Sequence, residues 1–427
     1  MKFHNVLLTF AKAVLLLASF SGFGWAVKHI LQDEIQTAPA WLTRSVKSFI
    51  GWPDLAWEAY NGLNEVPLIY VETPKDFAPV HRLEEDVWVL LSYAPSPKER
   101  TVALTNLRTG EEAHRWSVNR LANANNRIVH PLMLADSSLV YSLQGYTGLI
   151  RIDKHSQRLW KQDEMGHHHS LNLGPDSTLW ATAYKKENNS FLYYRGVFRL
   201  GEYTLPFIDN TLCQLDLDGN ILYEKSILDI LLENNLEHLL VKSNYPGDPL
   251  HINDCQPAME DGPHWLRGDV MISSRTGSLI MHYRPSSGKV IRLIEGPFQS
   301  QHDVDFESDS TLVFFNNNSM TLTMERADDW AMADEPVAVE KFHSQLVRYY
   351  YGSHRFEVVE NAVFKENDLF TYTEGLADTL RGGGYLVEQQ NASVLWVIKD
   401  GAVLYKDVLP SPYEGYHQIA NWARVYY

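Results

Sequence analysis

The side chains able to do chemistry in this 427-residue chain gather at four places. Gly166-His167-His168-His169-Ser170 supplies three consecutive histidines, and Leu250-His251-Ile252-Asn253-Asp254 a fourth. Ser273-Ser274-Arg275 supplies an arginine and Gln301-His302-Asp303 a further histidine. Arginine offers a fixed fork of donors suited to oxyanions, and imidazole can donate, accept or attack. No carboxylate triad and no cysteine-nucleophile motif accompanies them. The set therefore suits transfer of an anionic group, with one histidine as nucleophile and the others, with Arg275, neutralising equatorial oxygens. Phosphoryl and sulfuryl transfer both satisfy that description. A metal hydrolase is disfavoured, because acidic ligands are not regularly paired with these histidines. Successive strand residues also face opposite ways, so at most two histidines of the run can share an ion. No metal and no cofactor is expected.

Each place falls where an inner strand of a repeated unit would begin. From about Val87, strand-like runs recur, and six of them fold back on a turn: at Gly110, Ser156, Gly219, Gly288, near Gly352 and at Gly401. Alternating apolar residues on both sides of a Gly- or Asp-favouring turn read as β-hairpins. Their spacing, between 46 and 69 residues, matches propeller blades better than a sandwich. The expectation is an all-β, six-bladed β-propeller over 86–427. A second echo supports it: 168–182 and 301–315 superpose without a gap through a shared Asp-Ser-Thr turn, and this lays His302 on His169. Inner strands of a propeller converge on a central channel, so the two histidines would face one mouth. A helical insert is read at 226–242, with Ser226 as N-cap and Asp229 three residues on. Arg326–Glu340 reads as an acidic loop, and 31–85 as a linker with helical apolar spacing over Ser45–Tyr60.

Composition bounds the partners. With 37 Lys and Arg against 53 Asp and Glu, the net charge of −16 argues against a nucleic-acid binder. The run 13–27 carries no charge, so residues 1–30 read as a signal peptide or membrane anchor. Export to the periplasm or its inner-membrane face follows from that. Two cysteines exclude a disulfide-stapled scaffold and a four-thiolate zinc site; an oxidising compartment would permit a Cys213–Cys255 bridge.

Several stretches resemble the PAPS-independent arylsulfate sulfotransferases: PLHIND (249–254), VMISSRTGSLI (270–280), SSGKVIRLIEGPFQSQHD (286–303) and VFFNNN (313–318). HHS (168–170) is similar to the family's HHD element, and GGGYLVEQQNASVLWVIKDGAVLYKD (382–407) to its last blade. The resemblance implies a periplasmic six-bladed propeller that moves a sulfuryl group from a phenolic sulfate to a phenol through a sulfo-histidine, without a nucleotide cofactor. Carried over by motif, His302 is the histidine transiently sulfated, and His251 and Arg275 hold the sulfate oxygens. His169, with His168 second, assists proton transfer to the leaving phenol. Asn253, Asp303 and Asn317 support them from behind, Asp303 by orienting a histidine. The family's HHD and FDNG stand here as HHS and Phe315-Asn316-Asn317-Asn318. With the membrane anchor, that change motivates a second reading: a non-catalytic propeller that binds sulfated ligands or acts as an envelope scaffold.

Overall fold

The computed structural model describes residues 12, 14–16, 18–24, 66–119, 126–145, 147–185, 194–243, 245–320 and 342–427. The chain divides into two units, Met1–Pro67 and Leu68–Tyr427. In the first, the described residues between 12 and 24 are helical. No helix among the described residues is long and apolar enough to cross a membrane. The expected helix at 45–60 and the acidic stretch at 326–340 lie outside the described residues.

Six antiparallel sheets of four or five strands follow one another through the second unit. Each contains one of the six hairpins read from the sequence, in five of them as its last two strands in chain order; in the first sheet the closing strand of the chain comes after the hairpin. Examples are Glu99–Asn106 with Glu112–Asn119 in the first sheet and Val394–Lys399 with Ala402–Asp407 in the sixth. The turn residues Gly110, Gly219, Gly288 and Gly401 take positive φ, as does Ser156; at the fifth hairpin His354, not Gly352, does so. The first sheet is completed by the last strand of the chain, Arg424–Tyr426, paired with Trp88–Ser96. Two parts of the expected linker also belong to this unit: Tyr70–Glu72 pairs with Tyr416–Gln418, and Val80–His81 adds an edge to the sixth sheet.

An apolar cluster lies between every consecutive pair of sheets, because strands of alternating pattern bury both faces when sheets stack face to face. Leu90, Val102 and Trp116 of the first sheet meet Ile128, Leu139 and Tyr141 of the second. Leu386, Leu395 and Val397 of the sixth meet Val89 and Leu91 of the first. Polar staples join an edge strand of one sheet to that of the next. Asp254 accepts from the Val304 amide at 2.7 Å, Asp303 from Ala377 at 2.8 Å, and Asp378 from Val425 at 2.7 Å. Ser170 accepts from Cys255 at 3.0 Å. The arrangement is propeller-like.

The insert is shorter than expected. Ser226 caps a helix over Ile227–Glu233, its Oγ accepting from the Asp229 amide at 3.0 Å. Asn234 ends that helix, Asn235 turns left-handed, and Glu237–Lys242 continues as a 3₁₀ segment. A two-stranded hairpin, Tyr194–Leu200 with Tyr203–Ile208, also interrupts the third sheet and was not foreseen.

Both cysteines are free and buried. The bridge that an oxidising compartment would permit is absent, because alternation along Thr211–Leu215 sends Cys213 into the cluster shared with the second sheet. Its neighbour Leu212 faces the opposite cluster, which contains Cys255.

Candidate active site

The first strands of the second to fifth sheets share one local device. Each carries a register shift near its start: Val129/Leu132, His167/Leu171, Ile252/Asp254 and His302/Val304. A non-glycine residue in left-handed backbone sits at or beside each shift: His130, His169, His251 and Asp303. Bulges re-aim side chains, and left-handed non-glycine backbone persists only where the surroundings over-determine it. Here they suspend strand alternation where the histidines stand. His168 and His169 consequently turn to the same side, their ring centroids 3.8 Å apart.

The rings then meet across sheets. Nε2 of His169 lies 3.1 Å from Nε2 of His251, so one of the two donates a proton to the other. The His302 ring centroid is 5.9 Å from that of His169, and His168 is 5.0 Å from His251. The structure thus brings together His168, His169, His251 and His302. Arg275 joins them by charge: its guanidinium is near enough to disfavour protonation of His168 and His302. The Arg275 amide donates to the His251 carbonyl at 3.1 Å, and its Nε is buried with no hydrogen-bond partner among the described residues.

Hydrogen bonds fix the rings. His302 Nδ1 lies 2.6 Å from Asn317 Oδ1 and 3.1 Å from the Ser300 carbonyl. A carbonyl can only accept, so Nδ1 carries the proton and Nε2 the lone pair. Asn317 is held in that orientation by its Nδ2, which donates to the carbonyls of Thr371 and Glu374 at 2.9 and 2.6 Å. His251 Nδ1 lies 2.7 Å from Asp248 Oδ2. Asn253 donates to the Gln301 carbonyl at 2.7 Å and so braces the residue before His302. Asp303 accepts from a backbone amide of the sixth sheet and orients no histidine; that task falls to Asp248 and Asn317.

Burial dominates the electrostatics. Loss of water, then the Arg275 charge, pushes His302 down to about 3, against the opposing hydrogen bond to Asn317. Desolvation, followed by neighbouring histidines, drives His168 and His169 well below the ordinary imidazole value. Asp248 stays below its usual range: burial would raise it, but the His251 charge and hydrogen bond prevail.

Sequence reasoning missed His130 and Trp422. The His130 ring packs 3.7 Å from that of Trp422 and 6.2 Å from that of His169, and its Nε2 is buried without a hydrogen-bond partner among the described residues. Both line a cavity of about 220 Å³ with His167, His168 and His169, and Arg127 and Glu374, paired at 3.0 Å, line it too. His130 stands at the second sheet's first strand, the position equivalent to the other histidines, and that register was the available signal. Trp422 follows the last hairpin and had none. A larger cavity of about 480 Å³, between residues 82–87 and 380–383, contains none of the candidate residues.

Comparison with known proteins agrees at the level of family. Among solved structures, a protein of unknown function from Bacteroides caccae is 10% identical, with a TM-score of 0.46, covering 75% of this chain and 93% of its own. TolB from Acinetobacter baumannii is 12% identical, with a TM-score of 0.38, covering 91% and 73%. No curated protein matches the sequence. The arylsulfotransferase (ASST) family matches residues 130–406, a span that begins at His130 and takes in His168, His169, His251, Arg275, His302 and Asn317. Since that is well over half of its length, the chain belongs to the arylsulfotransferase family.

Proposed function

We propose that the protein transfers a sulfuryl group from an aryl sulfate to a phenol through a sulfo-histidine on His302, on a six-bladed propeller. The observation that carries this reading is the His302 ring, whose Nδ1 proton is committed to Asn317 and the Ser300 carbonyl, leaving Nε2 unprotonated beside Arg275. In the first half-reaction Nε2 forms a bond to sulfur as the sulfur–oxygen bond to the phenol breaks. The proton shared by His169 and His251 passes to the departing phenolate oxygen. In the second, an acceptor phenol returns its proton to that pair, its oxygen attacks sulfur, and the nitrogen–sulfur bond breaks. Arg275 neutralises the sulfate oxygens throughout, joined by His251 while the pair holds its proton, as donors placed in advance where charge accumulates. The exchange is atom-balanced and calls for no nucleotide. The aryl ring has a place in the cavity beside Trp422, where a flat apolar face accepts a phenol ring. The uncharged run 13–27 supports an exported location for the reaction.

The decisive test uses 4-nitrophenyl sulfate as donor with simple phenols as acceptors, and intact-mass detection of the sulfated enzyme after donor alone. Wild type should release 4-nitrophenolate and gain one SO₃, and His302→Ala should do neither. A wild type inert across a broad panel, or a fully active His302→Ala, overturns the reading. Binding of aryl sulfate without covalent sulfation would favour the receptor alternative.

A further inference from the structure

Three imidazoles of this site have a geometry that sulfuryl transfer does not require. One ring nitrogen each from His168, His169 and His251 lies within 4.8 Å of the other two. A tetrahedral zinc ion with bonds of about 2.0–2.1 Å holds neighbouring ligand nitrogens about 3.3 Å apart. The His169 Nε2–His251 Nε2 separation of 3.1 Å is already close to that edge. The alternation of an ordinary strand would have denied an ion both His168 and His169, but the bulge and the left-handed backbone at His169 present them together.

A second, independent feature points the same way. His251 gives its Nδ1 side to the Asp248 carboxylate at 2.7 Å, leaving Nε2 toward the other two rings. Carboxylate support of the distal ring nitrogen is the usual backing of a metal-binding histidine, since it fixes the tautomer and raises the basicity of the ligating nitrogen. Asp248 is itself anchored, its Oδ1 accepting from Asn210 at 3.2 Å and from the His251 amide at 3.2 Å.

We propose that His168, His169 and His251 form a three-imidazole site for one divalent transition-metal ion of the zinc class, backed by Asp248, and that its occupation shuts off sulfuryl transfer. Metal uptake stands apart from the proposed reaction; the shut-off rests on it, because His169 and His251 cannot hold an ion and also share a proton or contact sulfate.

The test uses the full chain, stripped with a chelator and dialysed, titrated with ZnCl₂ by calorimetry and with CoCl₂ by visible absorption. One ion per chain is expected, with the d–d bands of four-coordinate Co²⁺. Asp248→Asn should weaken zinc affinity about 10–100-fold, and His168→Gln should weaken it as well. The wild-type cobalt spectrum serves even if a variant fails to fold. Absence of saturable uptake by wild type, or both variants folded and binding with wild-type affinity, overturns the metal site. Turnover of 4-nitrophenyl sulfate should fall as zinc occupancy rises and return on chelation; turnover unchanged at full occupancy overturns the shut-off. Uptake by a wild type that transfers no sulfuryl group upholds the metal site and removes the transferase reading; transfer without uptake does the reverse.

Discussion

At the residue scale, the proposed division between the ring that attacks and those that hold rests on hydrogen bonds behind the rings. Asn317 stands where the resembling family has its FDNG element, and its carbonyl oxygen accepts from His302 while its amide is spent on two backbone carbonyls. Replacing it by the near-isosteric leucine removes the acceptor and leaves the ring only the longer contact to Ser300. Asn317→Leu should lower kcat on the order of 10–100-fold, with a smaller change in KM, in steady-state assays with 4-nitrophenyl sulfate; an unchanged kcat would assign Asn317 a purely structural role. His302 also sharpens the pH expectation. An ordinary imidazole nucleophile is lost to protonation below about 6.5, but His302 is pushed down to about 3 by burial and Arg275. The kcat/KM profile should therefore show no acid limb near 6.5 from the nucleophile, and any limb seen there belongs to another group.

At the element scale, the first strands do two jobs. Their bulges aim histidines to one side, and a few residues further on their polar side chains bind the next sheet. Asp378 illustrates the second job, since its carboxylate is what the Val425 amide of the closing strand finds. Asp378→Ala leaves that half-buried amide unpaired, a loss of about 1 kcal/mol. Urea unfolding should register it, and hydrogen exchange at Val425 should accelerate more than at Val304, whose partner Asp254 is untouched. The hairpins were legible because their signals are local: a turn residue flanked by alternating apolar positions. The insert at 226–242 was legible at its cap and not at its end, because Asn234 and Asn235 stop it by adopting non-helical backbone, which the apolar spacing of the segment conceals.

At the scale of the whole molecule, buried titratable groups of both kinds oppose each other. His130, His167, His168, His169 and His302 are all depressed by burial, so the unfolded chain binds their protons first. Their stabilising contribution is complete above about 6.5 and is lost as pH falls from there toward about 3. Asp303, Asp305 and Asp378 are raised by burial, and the first two also by neighbouring aspartates, so the folded state holds their protons longer. They favour the fold at low pH and progressively weaken it as pH rises above about 3.8. The two sets act against each other between these limits and flatten the stability profile of the wild type. Asp305→Asn removes one of the opposing groups. The variant should match wild type near pH 3.5, where the carboxyl is largely protonated in both states, and be more stable than wild type at pH 8. Denaturant midpoints across the range would show it, and a destabilised variant at pH 8 would mean that Asp305 holds a partner worth more than its desolvation.

The sequence by itself determined the hairpins and the candidate residues: six hairpins from turn residues and alternation, and His169, His251, Arg275 and His302 from residue type and motif. These are properties of a few consecutive residues, and they survive without knowledge of the rest of the chain. Tertiary structure decided which groups meet. Asp248 and not Asp303 backs a histidine, because the bulges turn Asp303 toward the sixth sheet. Cys213 and Cys255 remain apart because the third sheet lies between the clusters they enter. His130 and Trp422, separated by most of the chain, become ring neighbours because the last strand returns to the first sheet. Such pairings depend on backbone conformations at single residues and on contacts between distant strands, and neither leaves a periodic trace in the sequence.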